Sequence, residues 1–514
     1  MCHFKFRAFL AILTAAVAIA GIENPALASS QNPINVSVLF FNDIHGYLSP
    51  FQIRTDSGKK ELGGVARIAT LIETIREENR MKDIRTFVLI AGDILQGTPM
   101  STVFRGQPDV ECFNAMGVDA LTVGNHEFDF GLQNFIDLKQ KARFPFLSSN
   151  IIKKDTKKLL CTPHVSFKLT DKIFLSIIGV TTKSLLTTTK SENVQAVDIL
   201  DPVQSVAKAF EEVKDRGPVI LLSHCKHKTD RAIATAVPEL TAIIGGHDQI
   251  LLSPFRKVGG VPILQASEKG KYLGRIDLHI NPISKKARLV SNDYLPVTAI
   301  IKADPQIDEI VASYRVKLDA RFKEVIGESS VFLDAERERI RYEETNLGNF
   351  VTDIVREYSG ARIALINSGG LRASIDAGPI TLEDVFKTMP FINEIVVIEL
   401  TGAEVLRALT RSVMGIREDE DGGFLHVSGI RFKVRGTAIE EVAVGKEKEP
   451  LQPRHIYRVA IPDFLASGGD GYNLFIGKQA EYTGLPLREI IVDAIRSRKV
   501  IESRVEGRIV RLKK

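Results

Sequence analysis

The sequence predicts an α/β protein of two domains, and three observations carry that reading. Apolar runs alternate with helical patterns from about residue 33 to 297, which argues for an α/β core. A long amphipathic helical pattern follows, and beyond it a second, different mixture of strand-like and helical segments runs to the C-terminus. Finally, residues able to bind metal recur at the ends of the apolar runs of the first part, where open α/β sheets place their sites.

The chain opens on residues 1–28, which read as a secretory signal: Lys5 and Arg7 form a basic start, an apolar run spans 8–22, and Ala26-Leu27-Ala28 is a small-residue cleavage site. The run is shorter than the ~20 residues of a membrane span, and a retained anchor is the weaker alternative. The C-terminal Arg508-Ile509-Val510-Arg511-Leu512-Lys513-Lys514 is basic and lacks the apolar length of a lipid-anchor signal. The expectation is a periplasmic or secreted protein, cleaved near Ala28, with no stable membrane anchor. A formal net charge of +5 over 514 residues, with both signs interspersed, shows no nucleic-acid-binding arm. Cys112, Cys161 and Cys225 remain after cleavage; an odd number leaves at least one thiol unpaired or paired between chains.

Within the first part, 62–76 repeats Leu62, Val65, Ile68, Ala69 and Ile72 at helical spacing, and 174–180 reads as a strand. The apolar run 36–41 leads into Asp43-Ile44-His45, and two residues apart on a strand exit would point to one side. The run 87–91 leads into Gly92-Asp93; then come Gly124-Asn125-His126-Glu127, Ser223-His224 after the run 219–222, and Gly245-Gly246-His247-Asp248-Gln249. Any one of these pieces alone reads equally well as a cap, a turn or a satisfied core histidine. Their ordered set is what a dinuclear site requires. Two cations roughly 3.5–4 Å apart need a bridging carboxylate and several neutral donors, with positions left open for a phosphoryl oxygen and water. Carboxylates with imidazoles suit zinc, manganese or similar ions.

From Pro305 the positions Ile307, Ile310, Val311, Tyr314, Leu318 and Phe322 keep to one face. Asp304 is a candidate N-cap and Pro305 suits the first turn. This predicts one helix over 305–322, read as a linker (298–329) between domains at 33–297 and 330–514; a helix belonging wholly to the second domain is the alternative. The second part shows strand-like 363–366, 394–400 and 456–461 and a helical 347–358.

These motifs, with Asn125-His126-Glu127-Phe128-Asp129, the later Asn367-Ser368-Gly369-Gly370-Leu371-Arg372 and Gly468-Gly469-Asp470-Gly471-Tyr472, resemble the calcineurin-like metallophosphoesterases and, among them, the secreted 5'-nucleotidases, which include bacterial periplasmic 5'-nucleotidase/UDP-sugar hydrolases and the animal ecto-5'-nucleotidase. The resemblance implies a four-layered α/β-β/α first domain and an α+β substrate domain. It implies two divalent metal ions, one held by Asp43, His45, Asp93 and Gln249 and the other by Asp93, Asn125, His224 and His247. It makes His126, oriented by Asp129, the group that stabilises the transition state. Arg372, with Asn367 in the same turn, would contact phosphate together with Asn125; Phe391 and Phe464 would clamp the base, Asn393 would contact it, and Asp470 would bind the ribose hydroxyls. Without the resemblance both rings would read as core. One departure stands out: family members commonly carry arginine near the Asn-Leu-Gly motif, whereas here Glu343 and Glu344 precede Asn346-Leu347-Gly348, and Arg339 and Arg341 lie upstream.

The implied activity is hydrolysis of nucleoside 5'-monophosphates, extending to UDP-sugars, NAD or cyclic nucleotides. The rival readings are a thiosulfohydrolase of sulfur oxidation and a periplasmic protein that captures nucleotides without turnover.

Overall fold

The computed structural model describes residues 32–512 except 56–57, 319 and 416–420. The signal segment 1–28 lies outside the described residues.

The first domain is built on two six-stranded sheets. One has the order Ala287–Pro296, Tyr272–Ile280, Ile34–Phe41, Arg85–Ile90, Ala120–Thr122, Phe146–Leu147; the other runs Arg256–Val258, Val261–Leu264, Ala242–Gly245, Val219–His224, Phe174–Thr181, His164–Lys168. Strand Ile34–Phe41 is apolar on both faces because both are covered, as expected of central parallel strands. Val38, Phe40 and Leu89 from the first sheet meet Ile177, Leu222 and Ile244 from the second in one buried layer. Helices Val65–Arg80, Gln107–Met116 and Leu132–Lys141 cover the outer face of the first sheet; Pro202–Val213 and His227–Ala236 cover that of the second. The result is the α/β-β/α order of layers.

Helix Pro305–Lys317 is capped by Asp304, whose side chain accepts from Ile307 N. It ends at Lys317, three residues after Tyr314, with Leu318 extended as the C-cap, so Phe322 belongs to a separate short turn, Ala320–Lys323. Ile307, Val311 and Tyr314 pack into the core of the first domain, against helices Val65–Arg80 and Gln107–Met116. The connecting helix therefore moves as part of the first domain's surface.

The second domain centres on a five-stranded sheet in the order Leu425–Ser428, Ile363–Asn367, Ile456–Pro462, Glu394–Thr401, Ala480–Pro486. Helices Asn346–Ser359 and Leu487–Arg498 fill one face and Gly402–Val413 the other. Thr345 caps helix Asn346–Ser359 by accepting from Gly348 N. Glu344 is buried and accepts from Asn349 Nδ2, Glu506 N and Ile509 N, so this acidic residue ties the C-terminal strand to the domain. Cys112, Cys161 and Cys225 are all free and buried.

Candidate active site

The strands Ile34–Phe41, Arg85–Ile90 and Ala120–Thr122 are parallel, as are Val219–His224 and Ala242–Gly245, so their C-terminal ends share one edge of the double sheet. Asp43 and His45, Asp93, Asn125, His224, and His247 with Gln249 emerge from those ends in turn. The loops are knitted together by backbone bonds, Asp43 N to Gly92 O (3.0 Å), His45 N to Asp93 O (3.1 Å) and Gly246 N to Ser223 O (2.9 Å). Asp43, His45, Asp93, His247 and Gln249 all adopt positive φ between 50° and 73°. Such a conformation costs of order 1–3 kcal/mol per non-glycine residue, and its concentration here marks a functional site. A Cβ on Gly92 would lie 2.4 Å from His224 Nδ1 and one on Gly246 would lie 2.2 Å from Ala91 O, so glycine is what lets these loops close on each other.

Asp93 is the hub. Its Oδ2 lies 3.0 Å from His224 Nε2 and 4.0 Å from both His45 Nε2 and His126 Nε2, while its Oδ1 accepts from His126 N at 2.9 Å. Two clusters of donor atoms share it, His45–Asp93–His126 and Asp93–His224–His247. Asp43 Oδ1 is 3.6 Å from His45 Nε2. Gln249 Nε2 is 2.7 Å from the same nitrogen, and its Oε1 accepts from Arg337 at 2.7 Å. The structure thus brings every expected metal-binding residue to one place. It also brings His126 within donor reach of Asp93, so distance alone does not separate its role from that of a ligand.

The atoms are poised for a cation. Asp43 Oδ1, Asn125 Oδ1 and His224 Nε2 are buried without a hydrogen-bond partner; His224 Nε2, though near Asp93, is not in line for a bond. Such orphans normally carry a penalty of about 1–3 kcal/mol. Bound cations would satisfy all three, and the nitrogen and oxygen set is the one a borderline divalent ion takes. Backbone carbonyls orient the imidazoles: His224 Nδ1 donates to Ala91 O at 2.8 Å, and His45 Nδ1 lies 3.1 Å from Gln96 O, leaving Nε2 facing inward in each. Glu127 braces the hub by accepting from Asp93 N, Ile94 N and Gly124 N.

Electrostatics follow the same pattern. Burial works against the charge on Asp93, but the imidazoles of His224 and His126 outweigh it and hold the carboxyl well below its usual range. Burial likewise pulls His224 down, and the Asp93 carboxylate overcomes it, raising the imidazole to about 10. A cation held by His224 and Asp93 would take the place of that proton. Burial, reinforced by His224, keeps His247 well below its ordinary value and so neutral. His126 behaves differently: Asp129 and Asp93 outweigh burial and raise it, and its Nδ1 lies 2.6 Å from Asp129 Oδ2.

Opposite this wall, across a cleft of about 670 Å³, stands the second domain. Asn367, Arg372, Phe391, Asn393, Phe464 and Asp470 all line it, as do Arg337, Arg341 and Arg411. Asn367 Nδ2 donates to Asp470 Oδ2 (2.7 Å), and Arg411 donates to Asp470 O (2.6 Å) while pairing with Asp421. The Phe391 ring stacks near His126, centroids 5.8 Å apart at 25°. Phe464 packs over Gly469, where a Cβ would lie 2.5 Å from the ring. Arg339 instead pairs with Asp334 (2.5 Å). The cleft-lining arginines near the Asn-Leu-Gly motif are therefore Arg337 and Arg341, on and just after helix Arg337–Ile340. Sequence reasoning passed over Arg337; its four-residue spacing from Arg341, one helical turn, was the available signal.

The fold and donor set define a calcineurin-like phosphoesterase, and the chain matches that family's model over residues 36–250. Residues 325–476 match the 5'-nucleotidase C-terminal domain. A 5'-nucleotidase of Vibrio cholerae is 31% identical over 90% of each chain. The solved 5'-nucleotidase precursor of Thermus thermophilus is 31% identical, with a TM-score of 0.85 covering 94% of this chain and 100% of that one. A trifunctional nucleotide phosphoesterase of Bacillus subtilis is 29% identical over 92% of this chain, which spans 35% of that longer protein. Likeness to the sulfate thiohydrolase SoxB of Thermus thermophilus, at 19% identity and a TM-score of 0.79, shows the fold alone. The chain belongs to the 5'-nucleotidase family, as a metal-dependent hydrolase of the calcineurin-like phosphoesterase fold.

Proposed function

We propose that the protein hydrolyses nucleoside 5'-monophosphates to nucleoside and phosphate, with UDP-sugars, NAD or cyclic nucleotides as further substrates. The observation that carries the reading is the two-walled cleft: Asp93, Asn125, His126, His247 and Gln249 on one side face Phe391, Asn393, Phe464 and Asp470 on the other. In this reading the domains are 33–297 and 330–514, joined through 298–329, and the protein is exported after cleavage near Ala28. Among the described residues no helix is long and apolar enough to cross a membrane.

Asp43, His45, Asp93 and Gln249 would hold one divalent ion and Asp93, Asn125, His224 and His247 a second, zinc, manganese or similar. Once bound, the ions would acidify water and neutralise charge on the phosphoryl oxygens. Gln249 Oε1, now bonded to Arg337, would have to turn inward. His126 keeps its charge through Asp129 and presents Nε2 toward the cleft, where a protonated imidazole stabilises the phosphoryl oxygens as the P–O5' bond breaks. Arg372, with Arg337 and Arg341, supplies guanidinium forks for phosphate, with Asn125 and Asn367 beside it. Phe391 and Phe464 stack on the base, Asn393 contacts it, and Asp470 accepts from the ribose hydroxyls. Paired rings suit a heterocycle because stacking is worth roughly 1–3 kcal/mol per base whatever its identity. That pair and Asp470 have no use in a thiosulfohydrolase, and a mere nucleotide binder has none for His126 and its Asp129 partner.

A substrate panel after chelation and metal replacement tests the reading. Phosphate release from AMP, lost on chelation and restored by metal, is expected. AMP bound but never hydrolysed under any metal would make this a binding protein.

A further inference from the structure

Segment 184–193 of the first domain touches three things at once. Thr189, buried, donates its hydroxyl to the carbonyl of Asn125 at 3.1 Å, and Asn193 Nδ2 donates to the carbonyl of Asp129 at 2.9 Å. These two bonds grip the loop carrying His126 from behind. Between them, Lys190 reaches the other domain, where its Nζ lies 2.8 Å from Asp463 Oδ2. The second oxygen of the same carboxylate accepts from the backbone N–H of Phe464 at 2.8 Å. Next to this ion pair, helix Leu185–Thr188 rests on the turn Gly469–Gly471, which carries Asp470. Thr189 and Asn193 thus tie the segment to the catalytic loop, and Lys190 between them ties it through Asp463 to the backbone of a cleft-lining ring.

We propose that Lys190 is a positioning residue: through Asp463 it docks the second domain on the first and sets Phe464 against the substrate's base. The proposal rests on the nucleotide reading above for its effect on substrate choice, but not for the docking itself. Lys190 and Asp463 are 26% and 21% exposed, so the pair is neither fully screened nor stripped of water. Measured exposed pairs contribute roughly 0.2–1 kcal/mol, which corresponds to an effect of up to about fivefold. Lys190 lines the cleft but its Nζ is engaged by Asp463, so its loss should be felt through the base and not through the phosphoryl group.

The test combines a kinetic cycle with a distance. Lys190→Met and Asp463→Asn should each raise KM for AMP about two- to fivefold, the double variant should be no worse than either single one, and Lys190→Arg should behave as wild type. p-Nitrophenyl phosphate, which carries no nucleobase, should be indifferent to all four. Spin labels on Met81→Cys and Tyr482→Cys, both exposed and on different domains, report docking without any substrate; the native thiols are buried and unlabelled. Lys190→Met should shift the distance distribution toward separation and Lys190→Arg should not. Additive kinetic losses together with unchanged distances would overturn the proposal. Failure to hydrolyse AMP would instead sink the nucleotide reading, and the distances would still decide the docking role.

Discussion

The two walls of the cleft satisfy their polar atoms to different degrees. On the first domain Asp43 Oδ1, Asn125 Oδ1 and His224 Nε2 are buried and unpartnered, and Asp43 and its neighbours His45, Asp93, His247 and Gln249 are held in left-handed backbone conformations. On the second, Asn367 bonds Asp470, Arg411 bonds Asp421 and the Asp470 carbonyl, and Phe391 and Phe464 remain partly exposed. A site that must bind metal among buried carboxylates and imidazoles has to be built before the metal arrives, and the strain is borne by the surrounding sheets. The surface that must admit and release a nucleotide ties several of its polar side chains to one another, while Asn367 Oδ1 stays buried without a partner. Chemistry is thus preorganised on one wall and selection is left adaptable on the other.

The largest effect should come from the hub. Asp93→Ala removes the carboxylate shared by both donor clusters, and elemental analysis should show metal and activity lost together. His126→Ala should keep its metal and lose about 10²–10⁴-fold in kcat, the usual scale for a proton-transfer group. Equal metal loss in the two variants would make His126 a ligand, a role its 4.0 Å approach to Asp93 permits.

On the second wall Arg372→Ala should cost about 1.5–3 kcal/mol of a charge-assisted contact. That is about ten- to 150-fold in kcat/KM, and it should appear equally with AMP and p-nitrophenyl phosphate. A loss confined to AMP would move Arg372 from the phosphate to the nucleoside. The smallest effect is structural. Tyr472 is fully buried and donates to Gly423 O, anchoring the turn that carries Asp470. Tyr472→Phe should lower stability by about 0.5–1.5 kcal/mol, read by denaturant unfolding, with kcat on p-nitrophenyl phosphate unchanged; a fall in kcat would mean that this turn reaches the first wall.

How much of this was legible in the sequence follows from where the information sits. Strand 363–366 and helix 347–358 were readable because burial imposes a period on local residues, and they appear as Ile363–Asn367 and Asn346–Ser359. The donor motifs were readable because a metal demands specific side chains at strand ends. Left-handed backbone at Asp43, His45 and Asp93 was not, since nothing in a residue's identity announces it except the glycines packed alongside. Helix 305–322 was read five residues too long at its C-terminal end, reaching into the turn that holds Phe322, because apolar spacing continues past Lys317 although the backbone becomes extended at Leu318. The choice among Arg337, Arg339 and Arg341 depended on which way a four-residue helix faces, and Asp334 captures Arg339. Contacts between domains, such as Lys190 with Asp463, join positions 273 residues apart and carry no local signal.

The division of labour is tested most directly by the two rings. Phe391→Ala and Phe464→Ala, assayed with AMP and with p-nitrophenyl phosphate on metal-replete protein, should raise KM for AMP on the order of five- to 150-fold, from stacking of roughly 1–3 kcal/mol. The change in kcat should be smaller, because stacking acts alike on ground and transition states, and the aryl phosphate should be nearly unaffected. Equal losses on both substrates, or a sharp fall in thermal stability, would show that these rings hold the domain together and that selection does not reside on the second wall.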